Sequence, residues 1–174
     1  MKRILNVCED LCTGCGMCEM ACSLQKTGQF GPFKAGIRAL KDDYKEEIKV
    51  IICRQCKKAP CVEACPVEGE KPLTRDKETD AVIFNGERCI ECYECVRACP
   101  FGAIWIDPES GRLEKCDLCG GEPECVNWCV TGAISFVQPH EISIKRVAGR
   151  GEKEKIGLTK LDLGTIHIEH YIKG

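Results

Sequence analysis

Residues 89–100 read CIECYECVRACP. Cys89, Cys92, Cys95 and Cys99 follow the pattern C-x2-C-x2-C-x3-C, and a proline closes the run. The arrangement occurs three more times. CTGCGMCEMAC supplies Cys12, Cys15, Cys18 and Cys22; CRQCKKAPCVEACP supplies Cys53, Cys56, Cys61 and Cys65; CDLCGGEPECVNWC supplies Cys116, Cys119, Cys125 and Cys129. The first and third quartets share one spacing, the second and fourth widen the middle gap to four and five residues, and all four end in C-x3-C.

Composition narrows what such quartets can be for. The chain has 174 residues, a formal net charge of -2 and 6% aromatics, so nothing advertises a nucleic-acid surface. Seventeen cysteines could form a disulfide scaffold in a secreted protein. That reading is disfavoured because the count is odd and disulfides need no repeated spacing. The start, MKRILNVCEDLCTGC, lacks the apolar core of a signal peptide. No stretch approaches the ~18 apolar residues of a membrane span. The expected location is cytoplasmic.

The quartets belong to a longer internal repeat. CPFGAI at 99–104 recurs as CVTGAI at 129–134, and AVIFNGERC at 81–89 has an echo in RILNVCEDLC at 3–12. Each unit reads as strand, ligand loop, short helix and strand. Ile104–Asp107 and Arg112–Lys115 read as a hairpin around the turn PESG, and Ile48–Ile52 as a strand entering the second quartet.

The spacing has a chemical reason. Three thiolates separated by two residues each can curl one loop around an iron–sulfur cube. Gly14 and Gly16 allow the backbone to approach, so that its amides face the anionic sulfides. The last cysteine falls on the following helix, where Cys18 and Cys22, at i and i+4, share a face. In two-cluster ferredoxins such a distal cysteine ligates the other cluster. Cys89, Cys92 and Cys95 are therefore expected to hold one cube while Cys99 reaches another, with Pro66 and Pro100 stopping the helices. Zinc also takes thiolates, but its sites come as separated pairs.

These motifs resemble the four-cluster ferredoxin-like electron-transfer subunits of molybdenum and tungsten pterin oxidoreductases, hydrogenases and formate dehydrogenases, over about residues 3–139. The resemblance implies an α+β fold of two nested ferredoxin-like modules with short helices and β-hairpins. The outer module comes from quartets one and four and the inner from residues 50–110; residues 140–174, which hold no cysteine, read on their own as a C-terminal extension that either packs across the domain or clamps a larger subunit as a contact arm. The resemblance implies four 4Fe-4S clusters: Cys12, Cys15, Cys18 and Cys129; Cys116, Cys119, Cys125 and Cys22; Cys53, Cys56, Cys61 and Cys99; Cys89, Cys92, Cys95 and Cys65. The implied partner is a larger catalytic subunit, with a flavin or ferredoxin as the other electron partner. The chain departs from the family in having Ser23 and Val130, where proline often follows the distal cysteine.

The remaining residues carry less chemistry. Cys8 reads as a small buried hydrophobe on the first strand rather than a substitute ligand, since a full quartet starts at Cys12. The linker 23–52 opens on turn signals, and its run Lys41–Glu47 reads as a solvated face. Residues 69–80 read as a polar hairpin turn. Tyr93 and Trp128 could shield clusters or simply pack. Glu87, Glu91 and Glu94 flank the third quartet, offset by Arg88 and Arg97. His167 and His170 lack companion ligands and read as exposed or interface histidines. No Ser/His/Asp set, dinucleotide fingerprint or phosphate loop is present, so the chain is expected to have no reaction of its own. A free polyferredoxin shuttle, a cluster-dependent regulatory or maturation protein and a zinc-binding structural module remain as alternatives.

Overall fold

The computed structural model describes residues 3–45, 47–139 and 141–142. The proposed C-terminal arm, apart from 141–142, lies outside the described residues, as do His167 and His170.

The repeat is realised as four strand–loop–helix–strand units. The first is β1 (Ile4–Val7), α1 (Met17–Thr27) and β2 (Ile37–Asp42). The second is β3 (Glu47–Ile52), α2 (Pro60–Glu63) and β4 (Leu73–Arg75). The third is β5 (Val82–Phe84), α3 (Glu94–Ala98) and β6 (Ile104–Ile106). The fourth is β7 (Leu113–Lys115), α4 (Glu124–Asn127) and β8 (Ile134–Val137).

Strands pair between units, giving four antiparallel two-stranded ribbons: β1 with β8, β2 with β3, β4 with β5 and β6 with β7. The first ribbon joins the ends of the repeat array, with Ile4 opposite Val137 and Val7 opposite Ile134. This closure brings α1 against α4, while α2 lies against α3. The architecture is α+β, built from ferredoxin-type modules.

Two apolar cores follow. One gathers Leu5, Ile37, Val50, Ile52, Leu118 and Ile134 around Cys18, Cys22, Cys116 and Cys125. The other gathers Leu73, Val82, Ile104 and Leu113 around Cys61 and Cys95. Strand periodicity supplies the inward faces: Val50 and Ile52 are buried on β3 while Ile51 between them is only partly so.

Three sequence expectations need correction. First, α1 runs on through Ser23 to Thr27 into what reads as linker. Serine keeps a backbone N–H where proline would end the helix, its Oγ donates to the Met20 carbonyl at 3.0 Å, and the Thr27 hydroxyl donates to the Ser23 carbonyl at 2.9 Å. Gly28, at φ 70°, then closes the helix by donating to the Leu24 carbonyl. As a result, both Cys18 and Cys22 lie within α1. Cys65 and Cys129 lie beyond their short helices, and Cys99 caps α3.

Second, the linker contains β2. Its alternation is weak, because inward Ile37 and Ala39 are followed by an outward Leu40 that is 48% exposed. Charge and turn geometry dominate from Lys41 onward, with Lys41 paired to Asp43 at 2.8 Å. Similarly, 69–80 includes β4 as well as the turn.

Third, Cys8 is exposed. Leu5 and Val7 occupy the inward parity of β1, and Cys8 falls on the parity of exposed Ile4.

Candidate metal centres

The four ligand loops share a backbone device. The residue before the second cysteine of each quartet is left-handed: Gly14 (φ 66°), Gln55 (47°), Glu91 (56°) and Leu118 (62°). A second left-handed residue precedes the helix carrying the third cysteine in the first three loops: Gly16, Ala59 and Tyr93. Side chains rarely adopt this conformation, and each non-glycine case costs on the order of 1–3 kcal/mol. Such strain persists where the surrounding structure over-determines it. Here it turns the loop back on itself, so that cysteines two residues apart can face a common centre.

The inner core contains two voids bordered by thiols. One is lined by Cys53, Cys56, Cys61 and Cys99, with Val82, Pro100 and Ile104 among its walls. The other is lined by Cys65, Cys89, Cys92 and Cys95, with Tyr93 and Phe84. In each void three cysteines come from one quartet and the fourth from the other.

In the outer core Cys18, Cys22, Cys116 and Cys125 are buried. Cys125 feels the charge of Cys116, Cys22 and Cys119 before that of Cys18. Cys18 feels Cys12 and Cys15. Cys12 and Cys129 pack against the same core, and Cys15 is exposed.

Donors aim at several sulfurs. Gly36 N–H points at Cys22 Sγ (3.1 Å), Ala103 N–H at Cys99 Sγ (3.3 Å), Leu118 N–H at Cys116 Sγ (3.4 Å) and Glu91 N–H at Cys89 Sγ (3.4 Å). Burial opposes charge at these positions. Desolvation, first of the causes, pushes the Cys18 and Cys116 thiols up to about 12 and those of Cys22 and Cys95 to about 11; Cys125 is also raised. Thiolates here therefore need a bound cation to stabilise them.

The donor set fits a polynuclear centre. The inner-core thiols border volumes four at a time, and amides face the sulfurs of Cys89 and Cys99, the environment of an anionic iron–sulfur core.

Sequence reasoning missed three residues at the junction of the cores. Gln55 donates to the Cys116 carbonyl (3.1 Å) and accepts from Val82 N–H (2.8 Å). Gly36 abuts the 115–116 backbone, and Lys115 is buried between Val82 and Cys116. Their significance depends on what faces them across the fold. The only local signal was Lys115 preceding a ligand. Glu94 and Arg97 pair at 2.6 Å, whereas Arg88 pairs with Glu70 rather than Glu87.

Thiol-bordered voids on a repeated ribbon-and-helix frame define an iron–sulfur protein of the ferredoxin type. Comparison with known families is more specific: residues 45–139 match the 4Fe-4S dicluster domain and residues 9–28 a 4Fe-4S binding domain. The chain belongs to the 4Fe-4S dicluster domain family. It is similar to the polyferredoxin-like subunit of aliphatic sulfonate oxidoreductase from Pyrococcus furiosus (41% identity over 84% of each chain). It is also similar to the thiosulfate reductase electron transfer subunit PhsB of Salmonella typhi (32% identity over 83% of this chain and 80% of that one). Among solved structures, a chain of the active site complex BamBC of benzoyl coenzyme A reductase aligns over 99% of this chain and 97% of its own, at 24% identity and a TM-score of 0.45. The protein is an iron–sulfur electron-transfer subunit with sites for more than one 4Fe-4S cluster. Among the described residues no helix is long and apolar enough to cross a membrane.

Proposed function

We propose that the chain relays single electrons through four 4Fe-4S clusters, between a larger molybdenum or tungsten pterin catalytic subunit and a flavin or ferredoxin partner. Cys12, Cys15, Cys18 and Cys129 would hold one cluster, and Cys116, Cys119, Cys125 and Cys22 its neighbour. Cys53, Cys56, Cys61 and Cys99 would hold the third, and Cys89, Cys92, Cys95 and Cys65 the fourth. Residues 1–139 form the cluster domain, and residues 140–174 serve as a subunit-contact arm. The observation that carries this reading is the void bordered by three cysteines of the second quartet and Cys99 of the third.

When bound, each cluster supplies a site that accepts and releases one electron with little rearrangement. The chain's own residues position, insulate and tune. Left-handed loop residues aim the thiols inward. Val82, Ile104 and Leu113 exclude water from the inner sites. Gly36 and Ala103 N–H groups stabilise sulfur charge, which favours the reduced state.

Iron and acid-labile sulfide should each approach about sixteen per chain, as four cubes require. In Cys99→Ser, the spectrum of the cluster held by the second quartet should change. A change confined to the cluster of Cys99's own quartet, or about twelve iron in the unaltered chain, would overturn the assignment.

The similar Pyrococcus furiosus protein is named as a subunit, which supports a larger partner here. Purified anaerobically from its native cells, the chain should co-elute with a larger pterin-containing subunit. Elution alone, near its own mass of 19.3 kDa, would favour a free shuttle.

A further inference from the structure

The ammonium of Lys115 lies at the junction of the two cores, and the residue is 2% exposed. It donates to the Cys116 carbonyl at 2.7 Å and to the Val82 carbonyl. Val82 lines the void of Cys53, Cys56, Cys61 and Cys99, whereas Cys116 belongs to the outer core. Gln55 spans the same junction, bonding Val82 N–H and the Cys116 carbonyl.

Burying an ammonium on neutral carbonyls is costly unless negative charge lies nearby. The adjacent carboxylates are engaged elsewhere. Glu114 is paired to Lys26 at 2.7 Å, and Lys26 also donates to the Lys115 carbonyl at 2.9 Å. Asp117 accepts from Cys119 N–H at 2.9 Å. The groups that lie to either side are thiol sites: Cys116, whose carbonyl the ammonium meets, and the void of Cys53, Cys56, Cys61 and Cys99, which Val82 lines.

We propose that Lys115 is a shared potential-setting residue, whose ammonium between the two cores raises the reduction potentials of the two clusters meeting at this junction. Those are the clusters of Cys53, Cys56, Cys61 and Cys99 and of Cys116, Cys119, Cys125 and Cys22, so the inference rests on the ligand assignment above. A thiolate-ligated cube is anionic and becomes more so on gaining an electron, so a fixed cation favours the reduced form. One charge serving both neighbours moves their potentials together and leaves the difference between them unchanged. It also ties the ribbons β4–β5 and β6–β7 to the outer core.

The test is an anaerobic redox titration of the full cluster-loaded chain, followed by electron paramagnetic resonance, for wild type, Lys115→Met and Lys115→Arg. Iron and sulfide are measured on each sample. In the methionine variant two centres should become at least tenfold harder to reduce, a shift of about 59 mV for a one-electron couple. The other two should move less than about twofold, the limit of a remote effect, and arginine should restore the wild-type values. A shift in all four centres, in one or in none, with full iron content, overturns the proposal. If the methionine variant assembles incompletely, an arginine variant with full iron and unshifted potentials upholds the need for charge; loss in both assigns the residue to packing and overturns it. Low iron in the unaltered chain would fault the four-cluster assignment instead.

Discussion

Anaerobic removal of iron with a chelator should unfold most of the chain. The secondary structure is too small to stand alone: among the described residues every sheet is a two-stranded ribbon, and three of the four α-helices are five residues or shorter. Isolated ribbons and short helices are marginal in water. The cores are built around the proposed ligands, and Cys18, Cys22, Cys116 and Cys125 are all buried within the larger one. A structural metal site can supply on the order of 10 kcal/mol, while the net stability of a domain is about 5–15 kcal/mol. Removing several such sites outweighs the apolar packing that remains. The strained loops lose the restraint that holds Gln55, Ala59, Glu91 and Tyr93 left-handed. Hydrogen exchange provides the measurement. Amides of β1 and β8, protected in the loaded chain, should exchange at unfolded rates after chelation. An iron-free chain that kept their protection and a cooperative unfolding transition would show that the polypeptide alone specifies the fold.

That dependence explains which parts of the structure were legible in the sequence. Ligand spacing constrains its own neighbourhood, so the loops, the closing strands at Ile104 and Ile134 and the β6–β7 hairpin could be read locally. The pairing of β1 with β8 joins residues more than a hundred positions apart, and no local pattern announces it. The family resemblance implied only that quartets one and four share a module, not which strands pair. Elements that depend on contacts elsewhere were also missed. β2 presents only Ile37 and Ala39 inward, and the extension of α1 rests on hydroxyl bonds by Ser23 and Thr27. The burial expected of Cys8 failed because strand parity, rather than residue type, decided its side. Gly36, Gln55 and Lys115 acquire their roles from the opposite module.

Gly36→Ala should be the most damaging small substitution outside the ligands. A β-carbon there would lie 2.7 Å from Cys116 N and Lys115 C and 2.8 Å from Lys115 O. These are backbone atoms at the entrance to the fourth ligand loop, so no side chain can swing aside. Flanking Ala35 and Ile37 are both 0% exposed, which leaves the approaching segment little room to shift. Overpacking of this kind costs about 1–3 kcal/mol and more where the contact is rigid. Displacement also withdraws the Gly36 N–H from Cys22 Sγ, now 3.1 Å away, and a lost N–H···S bond would make the cluster proposed there harder to reduce. Gly31→Ala is the matched control: its backbone is extended, and a β-carbon meets only the Lys34 side chain, at 3.5 Å. Surface changes of that sort stay within about 0.5 kcal/mol. The denaturation midpoint of the loaded protein under argon should therefore fall for Gly36→Ala and barely move for Gly31→Ala, with a lower potential in the first variant alone. Equal midpoints would mean that the two cores tolerate separation at this seam, and that the contact between β2 and the Cys116 loop contributes little to holding the modules together.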